Sequence, residues 1–139
     1  GFNLFFPGPI HWNVEDKHPF TETPIIVPGS TIRTQLRKIE AERAKGFYII
    51  ESNDNKINIK FKELENVRKF YYRDFDVSNT KPSEVITSVQ EKISAILKTH
   101  TKKMNPIIRF KLKGALAEGF LPTDLNFISL VKDFEISII

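Results

Sequence analysis

The chain has no cysteine, and only one methionine, one tryptophan and three histidines among 139 residues. Without cysteine there are no disulfides, thiolate metal sites or cysteine nucleophiles, and the composition is compatible with a reducing compartment. Long apolar runs are also missing. The longest, such as Phe47 to Ile50, fall far short of the ~20 residues that cross a bilayer, so no membrane partner is expected. The opening Gly1-Phe2-Asn3-Leu4-Phe5-Phe6 does not look like a basic-then-apolar signal segment. It reads as the interior of a strand, and the chain is expected to be a piece of a longer protein.

A chain of this length buries roughly two-thirds of its unfolded surface, enough for a hydrophobic core without staples. Its net charge of +4 is unevenly distributed. Residues 1–65 hold nine basic and nine acidic side chains, whereas residues 66–139 hold twelve and eight. The excess in the second half favours an anionic partner there, although lysine-rich solvated surfaces produce the same count.

Short apolar runs broken by turn residues fill the first half. Leu4 to Phe6 and Ile10 to Val14 flank Pro7-Gly8-Pro9, and Ile25 to Val27 runs into Pro28-Gly29-Ser30. The charged stretch Arg37 to Lys45 predicts a brief helix. Gly46 to Glu51 then forms a strand, Asn53-Asp54-Asn55 a turn, and Ile57, Ile59 and Phe61 alternate with polar residues as the second arm of a hairpin.

The second half changes rhythm. Phe70 to Val77 reads as a strand. Pro82 suits a first helical turn and Glu84 complements its dipole. Val85, Val89, Ile93 and Ile96/Leu97 then recur at helical spacing, which predicts one amphipathic helix over 82–98. Ile107 to Lys113 alternates as a strand, Thr123 caps a short helix through Val131, and Phe134, Ile136 and Ile138 alternate in a last strand. This β-α-β-α-β order implies parallel neighbours, with a boundary near Glu65 to Arg68.

Several residues draw attention by their chemistry. Lys98, His100, Lys102 and Lys103 end the long helix and its loop, and Arg109, Lys111 and Lys113 share one face of the next strand. Together they suit a phosphate-binding patch, and equally a solvated face with surface ion pairs. Tyr71, Tyr72, Phe75 and Phe110 fit core packing better than a base-stacking platform. His18, before Pro19, reads as surface, and His100 as a helix C-cap.

Four stretches occur in order: Val27-Pro28-Gly29-Ser30-Thr31-Ile32-Arg33-Thr34, Lys45-Gly46-Phe47-Tyr48-Ile49-Ile50-Glu51, Val67-Arg68-Lys69-Phe70 and Asn105-Pro106-Ile107-Ile108-Arg109-Phe110-Lys111-Leu112. Across nearly the whole chain they resemble the SbcD, or meiotic-recombination, family of double-strand-break repair nucleases. Lys69 departs from that pattern by replacing a proline. Gly8-Pro9-Ile10-His11 is a partial match to the family's last metal motif, with His11 at the second ligand position and Pro9 in place of the first.

The resemblance implies an α+β fold: residues 1–65 as a β-rich remnant of a two-sheet metallophosphoesterase core, and residues 66–139 as a small β-α-β-α-β capping domain. It implies contact with double-stranded DNA through Arg109, Lys111, Lys113, Lys102 and Lys103. Arg68, Lys69 and Arg73 are second candidates, and Ser30 and Arg33 lie on the turn beside the nuclease cleft, where plain turn chemistry is the competing account. It implies two manganese ions in the parent protein, with His11 the one ligand of that motif present here and otherwise a polar residue beside Trp12. The family's other metal motifs do not occur, so catalysis by this chain alone is not expected.

The resemblance further implies an intracellular setting and an SMC-like ABC ATPase partner, gripped by a segment beyond the capping domain. The family's dimer contact lies in its N-terminal part, leaving self-association through exposed strand edges as a further expectation. Two competing accounts stay open: a different metallophosphoesterase with a nucleotide or phosphoester substrate, and an accessory domain that docks a protein without touching DNA.

Overall fold

A computed structural model describes residues 3–8, 10–53, 56–101 and 103–134, and they form a mixed α and β fold. Among the described residues there are three α-helices and three two-stranded sheets, and no helix is long and apolar enough to cross a membrane. The chain divides into two compact units: Gly1–Tyr72 with Lys102–Arg109, and Arg73–Thr101 with Phe110–Ile139.

In the first unit, strand β1 (Val14–Lys17) pairs antiparallel with β2 (Pro24–Val27), setting Val14 opposite Val27 and Lys17 opposite Pro24. The strand expected over Ile10 to Val14 is shorter and later, beginning at Val14. The backbone just before it is committed elsewhere, because His11 O accepts the Ser30 N–H at 3.0 Å. Leu4 to Phe6 contributes one parallel bridge, Phe5 to Ile25, and Pro7, with no N–H, cannot extend a ladder. Gly29 has φ +73°, and a Cβ there would lie 2.7 Å from the Trp12 carbonyl carbon. The Pro28-Gly29-Ser30 turn therefore needs glycine for both backbone shape and space.

Helix α1 (Lys38–Glu42) occupies the charged stretch, as predicted. Strands β3 (Gly46–Asn53) and β4 (Lys56–Glu63) form the predicted hairpin, in register from Gly46 opposite Glu63 to Asn53 opposite Lys56. Tyr48 and Phe61 meet across it at 5.0 Å between ring centroids. A methyl group on Gly46 would strike the Phe61 ring and Lys62 O, which gives the Lys45-Gly46-Phe47 motif a steric basis. Among the described residues of this unit, Ile26, Val27 and Phe70 are the buried apolar side chains.

Strand β5 (Phe70–Asp76) leads through helix α2 (Pro82–Thr99) to strand β6 (Ile107–Lys113), and β5 and β6 form one sheet. Just beyond the strands, Val77 N bonds Lys113 O and Asn79 N bonds Ala115 O, each at 2.8 Å. Partners that advance together along both segments mark a parallel pair, as the β-α-β order predicts. Glu84 reaches back so that Lys81 N donates to its Oε2 at 3.3 Å, and Pro82 sits at the first helical position. Val85, Val89, Ile93 and Ile96 form the buried stripe of α2, and with Val77 and Leu130 they make the core of the second unit.

The end of the chain corrects the sequence expectation. Thr123 does not cap a helix running to Val131. Instead a 3-10 turn spans Pro122–Asp124, closed by Leu121 N to Asp124 Oδ2 at 2.7 Å, and helix α3 (Ile128–Phe134) follows. Asn126 Oδ1 accepts the Ile128 N–H at 3.0 Å, a local bond that competes with an earlier helix start. Phe134 closes α3 rather than opening a strand, and residues 135–139, where the last strand was expected, lie outside the described residues.

Ile93 is 4% exposed on the buried stripe of α2 and Ile49 is 44% exposed on β3. Ile93→Ala is expected to cost about 2–5 kcal/mol in urea unfolding, while Ile49→Ala stays within about 0.5 kcal/mol.

Candidate functional site

The most constrained chemistry of the first unit gathers where the Ser30 turn meets α1 and the start of β3. Glu40 and Lys45 are both fully buried, with Lys45 Nζ 2.9 Å from Glu40 Oε2. The same ammonium donates to His11 O at 2.6 Å and to Ser30 Oγ at 3.0 Å. Ser30 Oγ also lies 2.6 Å from Ile32 O, which closes the turn on itself. Among the described residues no well-directed hydrogen bond reaches either Glu40 oxygen, and the close Lys45 ammonium is the charge that balances the carboxylate. A buried pair of this kind stabilises little relative to apolar replacements, yet losing one partner strands an uncompensated charge.

Arg33 surrounds the same point. Its Nε donates to Glu40 O at 2.9 Å, one terminal nitrogen to Arg68 O at 3.0 Å and the other to Arg43 O at 3.4 Å. Burial lowers the pKa of this guanidinium, opposed by the charges of Glu40 and Glu63. All three guanidinium nitrogens thus serve the backbone. Arg68 extends the arrangement by donating from Nε to Asn105 O at 2.8 Å.

His11 was the expected metal ligand. Its Nδ1 lies 2.7 Å from Thr34 Oγ1. Among the described residues no group of three or more His, Asp or Glu side chains is placed to hold a metal ion. One imidazole bonded to a threonine does not fit a two-manganese centre, which needs carboxylates and several imidazoles around each ion. His18 lies at the surface, where its Nδ1 accepts the Phe20 N–H at 3.4 Å. His100 is the C-cap of α2.

The expected DNA-contacting residues have different surroundings. Strand β6 alternates as predicted, with Arg109, Lys111 and Lys113 exposed and Ile108, Phe110 and Leu112 half-buried. Arg109 is engaged: its guanidinium lies 5.7 Å from the Tyr72 ring centroid and donates to Leu36 O at 2.6 Å. Lys113 pairs with Asp74 at 3.0 Å, both partly exposed. Lys111 carries no such tie among the described residues. Lys69, Arg73 and Lys103 are exposed, whereas Lys102 lies outside the described residues. In the second unit, Val77, Leu112, Ala115, Leu116, Phe120 and Leu125 line a hollow of about 410 Å³ with no titratable wall, which offers no catalytic group.

The sequence reading missed the buried pair. Glu40 and Lys45 fall in a run of charges that periodicity assigns to solvent, and only Lys45 had been singled out as part of a motif. It also missed Tyr48, whose hydroxyl donates to Glu15 Oε1 at 2.9 Å. Burial, and then the Glu15 carboxylate, push the Tyr48 phenol up to about 12.

No protein-family model matches this chain, and no curated protein matches it.

Two measurements test these assignments. Lys45→Met is expected to destabilise by about 3–5 kcal/mol, and the Glu40→Gln/Lys45→Met double variant to lose much less than the sum of the two single changes in a denaturant cycle. Tyr48 is bound more tightly to its proton in the folded state than in the unfolded one, where phenols titrate near 10. Its contribution is therefore fully present below about pH 10 and lost as the pH rises toward 12. Tyr48→Phe should flatten the fall in stability over that window, which alkaline denaturation followed by tryptophan fluorescence reports.

Proposed function

We propose that this chain is the DNA-facing region of a manganese-dependent double-strand-break repair nuclease of the SbcD type. Residues 1–65 would close its metallophosphoesterase domain, and residues 66–139 would form a capping domain that holds a duplex end for cleavage. The observation that carries this reading is strand β6, whose exposed side presents Arg109, Lys111 and Lys113 while its other side chains turn inward. Cations on a rigid strand meet phosphates without reading sequence, which suits an enzyme that accepts any broken end.

The quoted motifs support the reading through their local roles. Ser30 and Arg33 hold the turn, Gly46 admits the Phe61 ring, and Arg68 ties to Asn105. The residues present do not form the manganese centre, so the metal and its chemistry belong to the rest of the parent protein. An SMC-like ATPase partner follows from the same reading and engages a segment other than these residues.

A second reading is favoured by exposed apolar side chains in the second unit, Phe120, Leu121 and Ile128. In that reading the unit docks a protein and leaves DNA alone.

Binding of a short blunt duplex, followed by fluorescence anisotropy across a salt series, separates the two. The expected result is a linear loss of log affinity with log salt, with a slope smaller by about two in Lys111→Glu/Lys113→Glu. Absence of binding at low salt, or an unchanged slope, sinks the DNA reading in favour of protein docking.

A further inference from the structure

The β3–β4 hairpin sorts its side chains by register. Phe47 faces Lys62, Ile49 faces Lys60, Glu51 faces Asn58 and Asn53 faces Lys56, and these eight share one face. The other face carries Tyr48, Ile50 and Ser52 opposite Phe61, Ile59 and Ile57. All three lysines of β4 therefore project to the same side. Among those eight residues the one carboxylate, Glu51, accepts a hydrogen bond from Asn58 Nδ2 at 3.2 Å.

None of Lys56, Lys60 and Lys62 has an ion-pair partner among the described residues. Other cations do: Lys17 pairs with Glu22, Lys38 with Glu42, Lys45 with Glu40 and Lys113 with Asp74. Lysines two residues apart on a strand stand about 7 Å apart, so Lys60 and Lys62 can meet separate phosphates of one strand. Beside them Phe47 and Ile49 are 43% and 44% exposed. An apolar floor of this kind supports the lysine stems, and the Phe47 ring suits a sugar or an unstacked base.

We propose that this face of the β3–β4 hairpin is a second phosphodiester-binding surface, separate from strand β6, gripping a nucleic-acid backbone through Lys56, Lys60 and Lys62 over Phe47 and Ile49. The proposal rests on the DNA reading and adds to it a contact on the half of the chain whose net charge is zero. Duplex and single-stranded DNA share the recognised chemistry, and an acidic polypeptide is the competing occupant.

The experiment uses the full chain and salt-dependent anisotropy with a blunt 20-base-pair duplex and a 20-nucleotide single strand, and polyglutamate as a competitor. For Lys56→Glu/Lys60→Glu/Lys62→Glu, the log–log salt slope should fall by about two to three, with at least a tenfold loss of affinity at low salt. The milder Lys60→Gln/Lys62→Gln should lower the slope by about two, and it covers the case in which charge reversal unfolds the hairpin. Phe47→Ala should weaken the single strand more than the duplex if the ring stacks on bases. An unchanged slope in both lysine variants, with the Lys111/Lys113 variant still losing slope, overturns the hairpin contact alone. Absence of wild-type binding to either DNA overturns both readings, and polyglutamate competing as well as DNA at equal charge assigns the face to an acidic polypeptide instead.

Discussion

Lys45 keeps its ammonium inside the protein by serving three groups at once, the Glu40 carboxylate, the His11 carbonyl and the Ser30 hydroxyl, and through them it holds the turn between β2 and α1. An isolated ammonium there would cost several kcal/mol to desolvate. That cost is offset only when all its partners arrive together, which makes the site cooperative. The residues before β1, the Pro28-Gly29-Ser30 turn, helix α1 and the residue just before β3 all contribute to this one junction. Arg33 strengthens the same junction from the side by capturing three backbone carbonyls. A helix of five residues has little stability of its own, and α1 exists because its carbonyl and carboxylate are held this way.

The second unit is held by other means. Helix α2 has a continuous apolar stripe, and side chains such as Val85 and Ile93 each contribute about 1.5–3 kcal/mol by leaving water. Its described charged groups are exposed, and at the surface the Lys113–Asp74 pair contributes little. One unit is specified by a polar junction that tolerates few alternatives, and the other by apolar packing that tolerates volume-conserving changes. This difference explains why the motifs of the first half have local roles at single residues, whereas the second half is legible mainly as a pattern.

That contrast also sets how much could be read in advance. The period of 3.6 along Val85, Val89, Ile93 and Ile96 gave the helix and its buried face, and the alternation along Ile57, Ile59 and Phe61 gave the hairpin arm with its partner. These readings succeed because burial and periodicity coincide there. They fail at Glu40 and Lys45, since no periodicity announces a buried charge, and at Thr123, where the Asp124 and Asn126 side chains claim the backbone first. Arg33 and Arg109 are candidates for DNA contact through the family resemblance rather than through charge alone. Their guanidinium groups are directed largely at carbonyls, and sequence holds no signal for that choice.

Composition is a poor guide to electrostatics for the same geometric reason. Residues 1–65 are neutral in sum, but their acidic and basic groups occupy different environments. Glu40 is buried, Glu22 and Glu42 are paired, and Glu51 is bonded to Asn58, whereas the lysines of β4 stand together on one face of a hairpin. A two-residue period on one strand segregates like charges that a net count averages away. The field felt by a polyanion a few ångströms from the surface depends on that segregation rather than on the sum, because screening within about 8–10 Å hides distant charges at physiological salt. On this argument the lysines of β4 and Lys111 of β6, which have no ion-pair partner among the described residues, exert a stronger local pull on phosphate than Arg109 and Lys113, whose charges already have partners within their own unit.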